Sequence, residues 1–348
     1  FIYLLFTFFC FNNSYLSSQG LKNYSEYEFE KYAVEEGTAM NASQIVFEDS
    51  YGFIWLGSQS GIDRFDGYDF INYANISSDS LSTNLTWVNT IAEDSFGNIW
   101  AADQFGNVSN YKRLEDKWYN YYPEYKDLVT NIPEGTNLNF SFQPSSIVVS
   151  KDGRYSFVGV FRFGLIRIDS ETGAQKYYQD DFKFSEWYDI NSADKMINEM
   201  EWLDDTRILI ATGDGLRIFD IEKETYTGEF LRTQNKDQGN FPEDRIWIRN
   251  FEIIDENNLW ISGRNGVIYK VNLKENSLEN YSEKTDLSNS EASQILLDKK
   301  NNQLWVNIQN IGIDILDIET NQVNNLRNYN SPLIGKEFNN IIKDKQQN

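Results

Sequence analysis

The chain has 348 residues, 16% of them aromatic, with five Pro, three Met, no His and a formal net charge of −22. That acidity opposes binding to nucleic acid or to an anionic membrane, both of which attract excess Lys and Arg, and otherwise serves solubility. Having no His removes His-centred triads, His metal sites and His general bases, and few enzyme mechanisms survive that, though carboxylate and Tyr chemistry do.

Residues 1–11, FIYLLFTFFCF, form an apolar run followed by the polar stretch NNSYLSSQG. This pattern predicts the core of a signal peptide cleaved near Ser18 or Gly20, so 1–20 is the expected export signal and 21–348 the mature domain. The run is too short to span a bilayer. No initiator Met or basic leader precedes it, so the natural N-terminus is expected to start earlier. Cys10 follows Phe8 and Phe9, where a lipoprotein signal carries small residues, so no lipid anchor is expected. The rest of the chain has no thiol, which fits an oxidising compartment without requiring one.

Beyond the leader, one pattern recurs six times: a short apolar strand, an Asp/Asn/Gly turn, a second strand, a loop with Gly, a third strand and an aromatic fourth. The copies begin at Gln44, Thr90, Ile147, Glu199, Asn250 and Gln294, the first reading QIVFEDSYGFIWLGSQSGIDRFDGYDFINY. A large residue anchors the second strand at Trp55, Trp100, Phe157, Leu209, Trp260 and Trp305, with steps of 45, 57, 52, 51 and 45. A Gly stands six or seven residues after each anchor, at Gly61, Gly106, Gly164, Gly215, Gly266 and Gly312.

In Asp49-Ser-Tyr-Gly52 and Asp94-Ser-Phe-Gly97, the Asp can bond the turn's own backbone while Gly takes a positive φ, closing a hairpin. The anchor then sits on a strand buried on both faces, and Gly57 marks a place where neighbouring backbones crowd. Four strands at this period are one blade, so an all-β propeller of four-stranded antiparallel blades is predicted. EYEFEKYAV, near Glu26–Val34, reads as a lone fourth strand, and FNNIIKDKQQN, from Phe338, as a first strand and turn. Together they predict a split seventh blade whose two remaining strands lie beyond Asn348, in a longer gene product.

WD40 blades carry Gly-His and Trp-Asp, kelch blades a Gly-Gly doublet, and the sialidase Asp box a shorter Asp-to-Gly spacing; none fits. The string GFIWLGSQSGIDRFDG, Gly52–Gly67, instead resembles the two-component regulator propeller repeat of Bacteroidetes-type hybrid sensor kinases. Asp49, Gly52, Trp55, Gly57, Gly61, Arg64, Phe65, Asp66 and Gly67 match its pattern, and Ser58 replaces the usual Thr. The third and fourth copies are degenerate, and the resemblance covers roughly Glu26–Asn348. It implies a periplasmic sensor region that binds an oligosaccharide from a complex polysaccharide. It further implies a downstream membrane helix, histidine kinase, receiver and DNA-binding domain, and a homodimer anchored in the inner membrane. None of those later parts lies in this sequence, and no cofactor is expected.

In such a ring one face collects the loops between strands two and three and those entering each first strand. The first set offers Gln59, Gln104, Phe105, Arg162, Phe163, Arg264 and Gln309, and the second Trp87, Trp187, Arg245, Trp247 and Arg249. Aromatic rings stack on sugar faces, while Arg and Gln bond hydroxyls or acids, so this mixture suits a glycan. Trp87 and Trp247 immediately precede strands and can equally pack between blades, and the Arg residues can be solvated charges. Arg64, on the third strand, is expected to be structural and paired with a nearby acid. The pairs Asp180-Asp181 and Asp204-Asp205 are read as turn formers rather than the two acids of a glycoside hydrolase, which stand about 5 to 9.5 Å apart across a cleft. An exported polysaccharide lyase or hydrolase, or an assembly scaffold, remain the alternatives to a sensor.

Overall fold

The computed structural model describes residues 5–7, 30–76, 82–123, 143–161, 164–178, 196–231, 246–264, 266–288, 290, 292–326 and 339–344. Six four-stranded antiparallel sheets dominate them, and in each the strands pair in chain order. These blades run Ser43–Tyr73, Val88–Tyr121, Gln143–Tyr178, Ile197–Phe230, Ile248–Asn280 and Ala292–Asn325. The first strands of successive blades touch, which gathers them around an axis and leaves the fourth strands at the rim.

The Asp-x-x-Gly turn works as its chemistry predicts. Oδ1 of the buried Asp49 accepts from the Tyr51 and Phe53 amides, both at 2.9 Å, while Gly52 takes φ 84°. Its other oxygen accepts from Trp55 Nε1 at 2.8 Å and from the Arg113 guanidinium of blade 2. One carboxylate therefore closes a hairpin, orients the anchor and ties two blades. Arg64, also expected to pair with an acid, lies with its guanidinium over the Phe53 and Trp55 rings.

The first five anchors bury against the following blade. Trp55 packs with Val88, Ile91 and Ile99 of blade 2, Trp100 with Ile147 and Val158 of blade 3, and Trp260 with Ile295 and Val306 of blade 6. Trp305, the sixth, is only half-buried. All six glycines after the anchors have positive φ, from 75° at Gly266 to 129° at Gly312. At Gly61 a Cβ would stand 2.4 Å from the Tyr73 carbonyl oxygen, so the turn excludes any side chain. Gly57 is similarly crowded, by Ile45 and Val88.

Every first strand carries a bulge near its start, and in blades 3 to 6 the residue after it reaches forward with a side-chain bond. Ser146 Oγ accepts from Met200 N at 3.0 Å, Glu199 Oε2 from Phe251 N at 2.6 Å, and Asn250 Oδ1 from Ile295 N at 2.8 Å. The series continues through residues 339–344: Gln294 Oε1 accepts from Ile341 N at 2.5 Å, and Asn340 Oδ1 from Val46 N at 3.1 Å. That segment therefore lies between the first strands of blades 6 and 1. Glu30–Tyr32 pairs instead with Leu5–Thr7 in a separate two-stranded sheet, while the Tyr32 ring packs on Phe65 and Phe70 of blade 1. Neither segment belongs to a four-stranded sheet, so the expected split seventh blade is not confirmed among the described residues. The described ring thus has six complete blades.

Blades 3 and 4 are also tied at the rim, where Glu224 accepts from Arg167, Lys176 and the Tyr178 hydroxyl. The Lys176 bond, chiefly, holds this carboxyl at about 2. Its contribution to stability is complete above the ordinary Glu range and disappears as pH falls toward 2. Glu224→Gln should therefore flatten the acid limb of the stability profile, read as melting temperature against pH. Asp49→Ala, which orphans four donors at once, should lower stability by about 3 kcal/mol, measured as the denaturant midpoint.

Candidate ligand-binding face

Antiparallel pairing puts the turn between strands two and three at the same end of each blade as the connector entering strand one. Polar pairs on strands three and four pin the connectors. Buried Asp63 accepts from Ala39 N at 2.9 Å and from Asn72 Nδ2 at 2.8 Å. Asn120 Oδ1 accepts from Asn84 N at 3.0 Å and from the Ser109 hydroxyl at 2.7 Å. Asp314 accepts from Ser288 N at 2.8 Å and from the Asn325 amide. Burial pushes the Asp63 carboxyl above its ordinary range, against the pull of its two bonds. Sequence reasoning missed these pairs, whose signal is an Asn on strand four opposite a small polar residue on strand three.

The loops are best defined where blades 1 and 2 meet. Asp103 is fully buried; Oδ1 accepts from Phe105 N and Asn107 N, and Oδ2 from Thr86 N at 3.1 Å. Desolvation raises its carboxyl above the usual range, though several amide donors oppose that rise. This single group locks the turn of blade 2 to the connector just before Trp87. Trp87 then donates its N–H to the Gln59 carbonyl of blade 1 at 3.3 Å, and its own carbonyl accepts from Gln104 N at 3.2 Å. Its φ is +57°, a left-handed conformation costing a bulky residue about 1 to 3 kcal/mol. The side chain is 37% exposed, and Phe105, one residue beyond Gln104, is 40% exposed. Gln59, Trp87, Gln104 and Phe105 are thus brought together on one face, and Trp87 is not swallowed between blades.

Blade 5 repeats the device. Arg264 N donates to the Trp247 carbonyl at 2.9 Å, and its guanidinium lies 4.6 Å from the centre of the half-buried Trp247 ring. Arg249 sits at the bulge of the first strand rather than in a loop. Gln309 is exposed in the corresponding turn of blade 6. Arg162, Phe163, Trp187 and Arg245 lie outside the described residues, as does the pair Asp180-Asp181. Asp204 caps its turn through Thr206 N and Arg207 N, and Asp205 pairs with Lys151, so these two acids serve structure. Among the described residues no cluster of acids is arranged to hold a metal ion, and no helix is long and apolar enough to cross a membrane.

No family model matches the chain, and no curated protein matches it. Among solved structures, the extracellular domain of a hybrid two-component system from B. thetaiotaomicron superposes with a TM-score of 0.67 over 91% of this chain at 21% identity. That of a second hybrid two-component system from the same organism gives 0.60 over 92% at 16% identity. The chain shares its fold with these extracellular domains. It spans only 39% and 41% of their lengths. They belong to the group of proteins that Gly52–Gly67 resembles. The Cps50 (Swd1) β-propeller domain from Myceliophteria thermophila also superposes, at 0.57 over 87% of this chain with 10% identity, so the architecture is shared widely.

The strained backbone at Trp87 gives a direct test of why Trp stands there. Trp87→Gly, which tolerates the left-handed conformation, should be about 1 kcal/mol more stable than Trp87→Ala, as read by thermal denaturation.

Proposed function

We propose that this chain is a periplasmic ligand-sensing propeller of a hybrid two-component system, which binds an oligosaccharide on its loop face and passes the signal to a downstream histidine kinase. The observation that carries the proposal is the fit of 91% of the chain to the extracellular domain of such a system. The repeat at Gly52–Gly67 supports it from the sequence side. The exposed rings of Trp87 and Phe105 beside Gln59 and Gln104 supply a stacking surface flanked by amides, the chemistry that a sugar ring requires. Binding, rather than catalysis, is the role assigned to this part of the protein. Residues 1–20 act as the export signal. The kinase, the membrane anchor and a homodimer belong to the full-length protein.

The same proposal closes the ring with a split seventh blade. Tyr32 covers the rim side of blade 1, and residues 339–344 occupy the axial side between blades 6 and 1. These two positions support the reading of the first as a fourth strand and the second as a first strand.

Calorimetric titration of the complete ectodomain against plant, host and microbial oligosaccharides should find one binding class. Trp87→Ala and Phe105→Ala should each weaken that binding at least about tenfold, the loss of one stacked ring. Cleavage of a polysaccharide, or no binder across the panel, would refute the assignment.

A further inference from the structure

The axis is chemically uneven. At the forward-facing positions of the first strands, blade 1 carries Ile45 and Phe47, and blade 3 carries Ser146 and Val148, all neutral. Blades 4 and 5 carry carboxylates there. Glu199 accepts from Asn250 Nδ2 at 2.7 Å and from Phe251 N at 2.6 Å, spanning the seam between blades 4 and 5. Glu201, two residues along the same strand, shares its face. Glu252, two residues beyond Asn250, accepts from the Leu297 amide of blade 6. The charged groups acting on Glu252 are Glu201 from blade 4 and Lys299 from the turn of blade 6, whose Nζ is bonded to the Ile254 carbonyl at 3.2 Å. Glu199 feels both Glu201 and Glu252. Three carboxyls therefore meet one cation on three adjacent blades.

We propose that this axial seam is a proton-operated latch: blades 4, 5 and 6 are held together while the cluster of Glu199, Glu201 and Glu252 retains a proton, and the seam loosens when all three are ionised. A protonated carboxyl still offers its carbonyl oxygen to a backbone N–H, so the caps on Phe251 and Leu297 survive protonation. Ionising the last group keeps those bonds but sets like charges against each other where the surrounding protein screens them poorly. Burial, then the charge of Glu201, raises the Glu252 carboxyl to about 8, and burial raises Glu199 in the same direction. Glu201 is exposed to water, which screens its share. A carboxyl raised in the folded state stabilises the fold below its unfolded value, and that contribution is lost as pH rises through the folded one. The latch therefore weakens from mildly acid to mildly alkaline pH, whether or not the loop face binds a sugar.

Thermal melts of the intact chain from about pH 6 to about pH 9 test this without any ligand. The unaltered chain should lose about 5 °C over that range. Glu252→Gln, which keeps an acceptor for Leu297 N, should remove most of the slope and melt higher than the unaltered chain at alkaline pH. Glu201→Gln, at an exposed position, gives the same reading should Glu252→Gln fail to fold. Hydrogen exchange should locate the pH-dependent opening in Ile248–Ile253 and Ala292–Asp298. A flat profile for the unaltered chain, or an equally steep one in both variants, would overturn the latch.

Discussion

A ring of blades must satisfy the backbone groups on the free edge of each innermost strand. A first strand pairs with the second on one side only, so its other edge faces the axis with unpaired amides, and an uncapped buried amide costs as much as a lost hydrogen bond. From blade 3 to residues 339–344 this chain answers with one recurring device. A bulge turns the strand, and the residue after it reaches to the next blade: Ser146 to Met200, Glu199 to Phe251, Asn250 to Ile295. From blade 3 onward these bonds therefore protect the free edge and tie neighbouring blades at once. Gln294 and Asn340 carry the series through residues 339–344 to Val46, so that stretch is seated by the same rule as the regular blades.

The caps explain which parts of the fold were legible in the sequence. Turn residues repeat in kind because backbone geometry demands a chemical type: Asp49 and Asp94 for amide capture, Gly61 and its five counterparts for positive φ. The anchors repeat in size because a blade interface needs volume, and Phe157 or Leu209 can stand in for Trp. Capping asks only for an acceptor at the right height, which Ser, Glu, Asn and Gln all supply. Identity therefore varies from copy to copy, and no single-letter pattern marks the position. The connector clamps at Asp63 with Asn72 and Asp314 with Asn325 escaped for a related reason, since each joins residues whose pairing appears only once the strands are in register.

The candidate face was half legible. Loop membership follows from the repeat, and Gln59, Trp87, Gln104 and Phe105 come together as that topology requires. What the sequence did not contain is the conformation of Trp87. A left-handed Trp between two backbone bonds is a poor choice for stability, since Gly would serve the turn with less strain. Strain kept at an exposed ring, beside a buried carboxylate that fixes the neighbouring turn, is the arrangement expected where presenting a side chain matters more than relaxing it.

The position of that ring bears on how binding there would reach the rest of the molecule. Trp87 bonds blade 1 through its N–H and blade 2 through its carbonyl, so a ligand stacked on it rests on a seam rather than on one sheet. At the opposite end of the same seam, Arg113 of blade 2 holds Asp49 of blade 1, with Tyr51 lying under its guanidinium. The packed core between the two ends, built around Trp55, Tyr73, Tyr111 and Trp118, resists compression, so the blades move as bodies or not at all. A ligand that favoured one angle of the seam would therefore act on both ends together. It would shift that angle only by its difference in affinity between the two arrangements. A propeller used this way transmits through the tilt of rigid blades, which makes the polar bonds crossing each seam, rather than the apolar cores within it, the elements that decide how far a blade can turn.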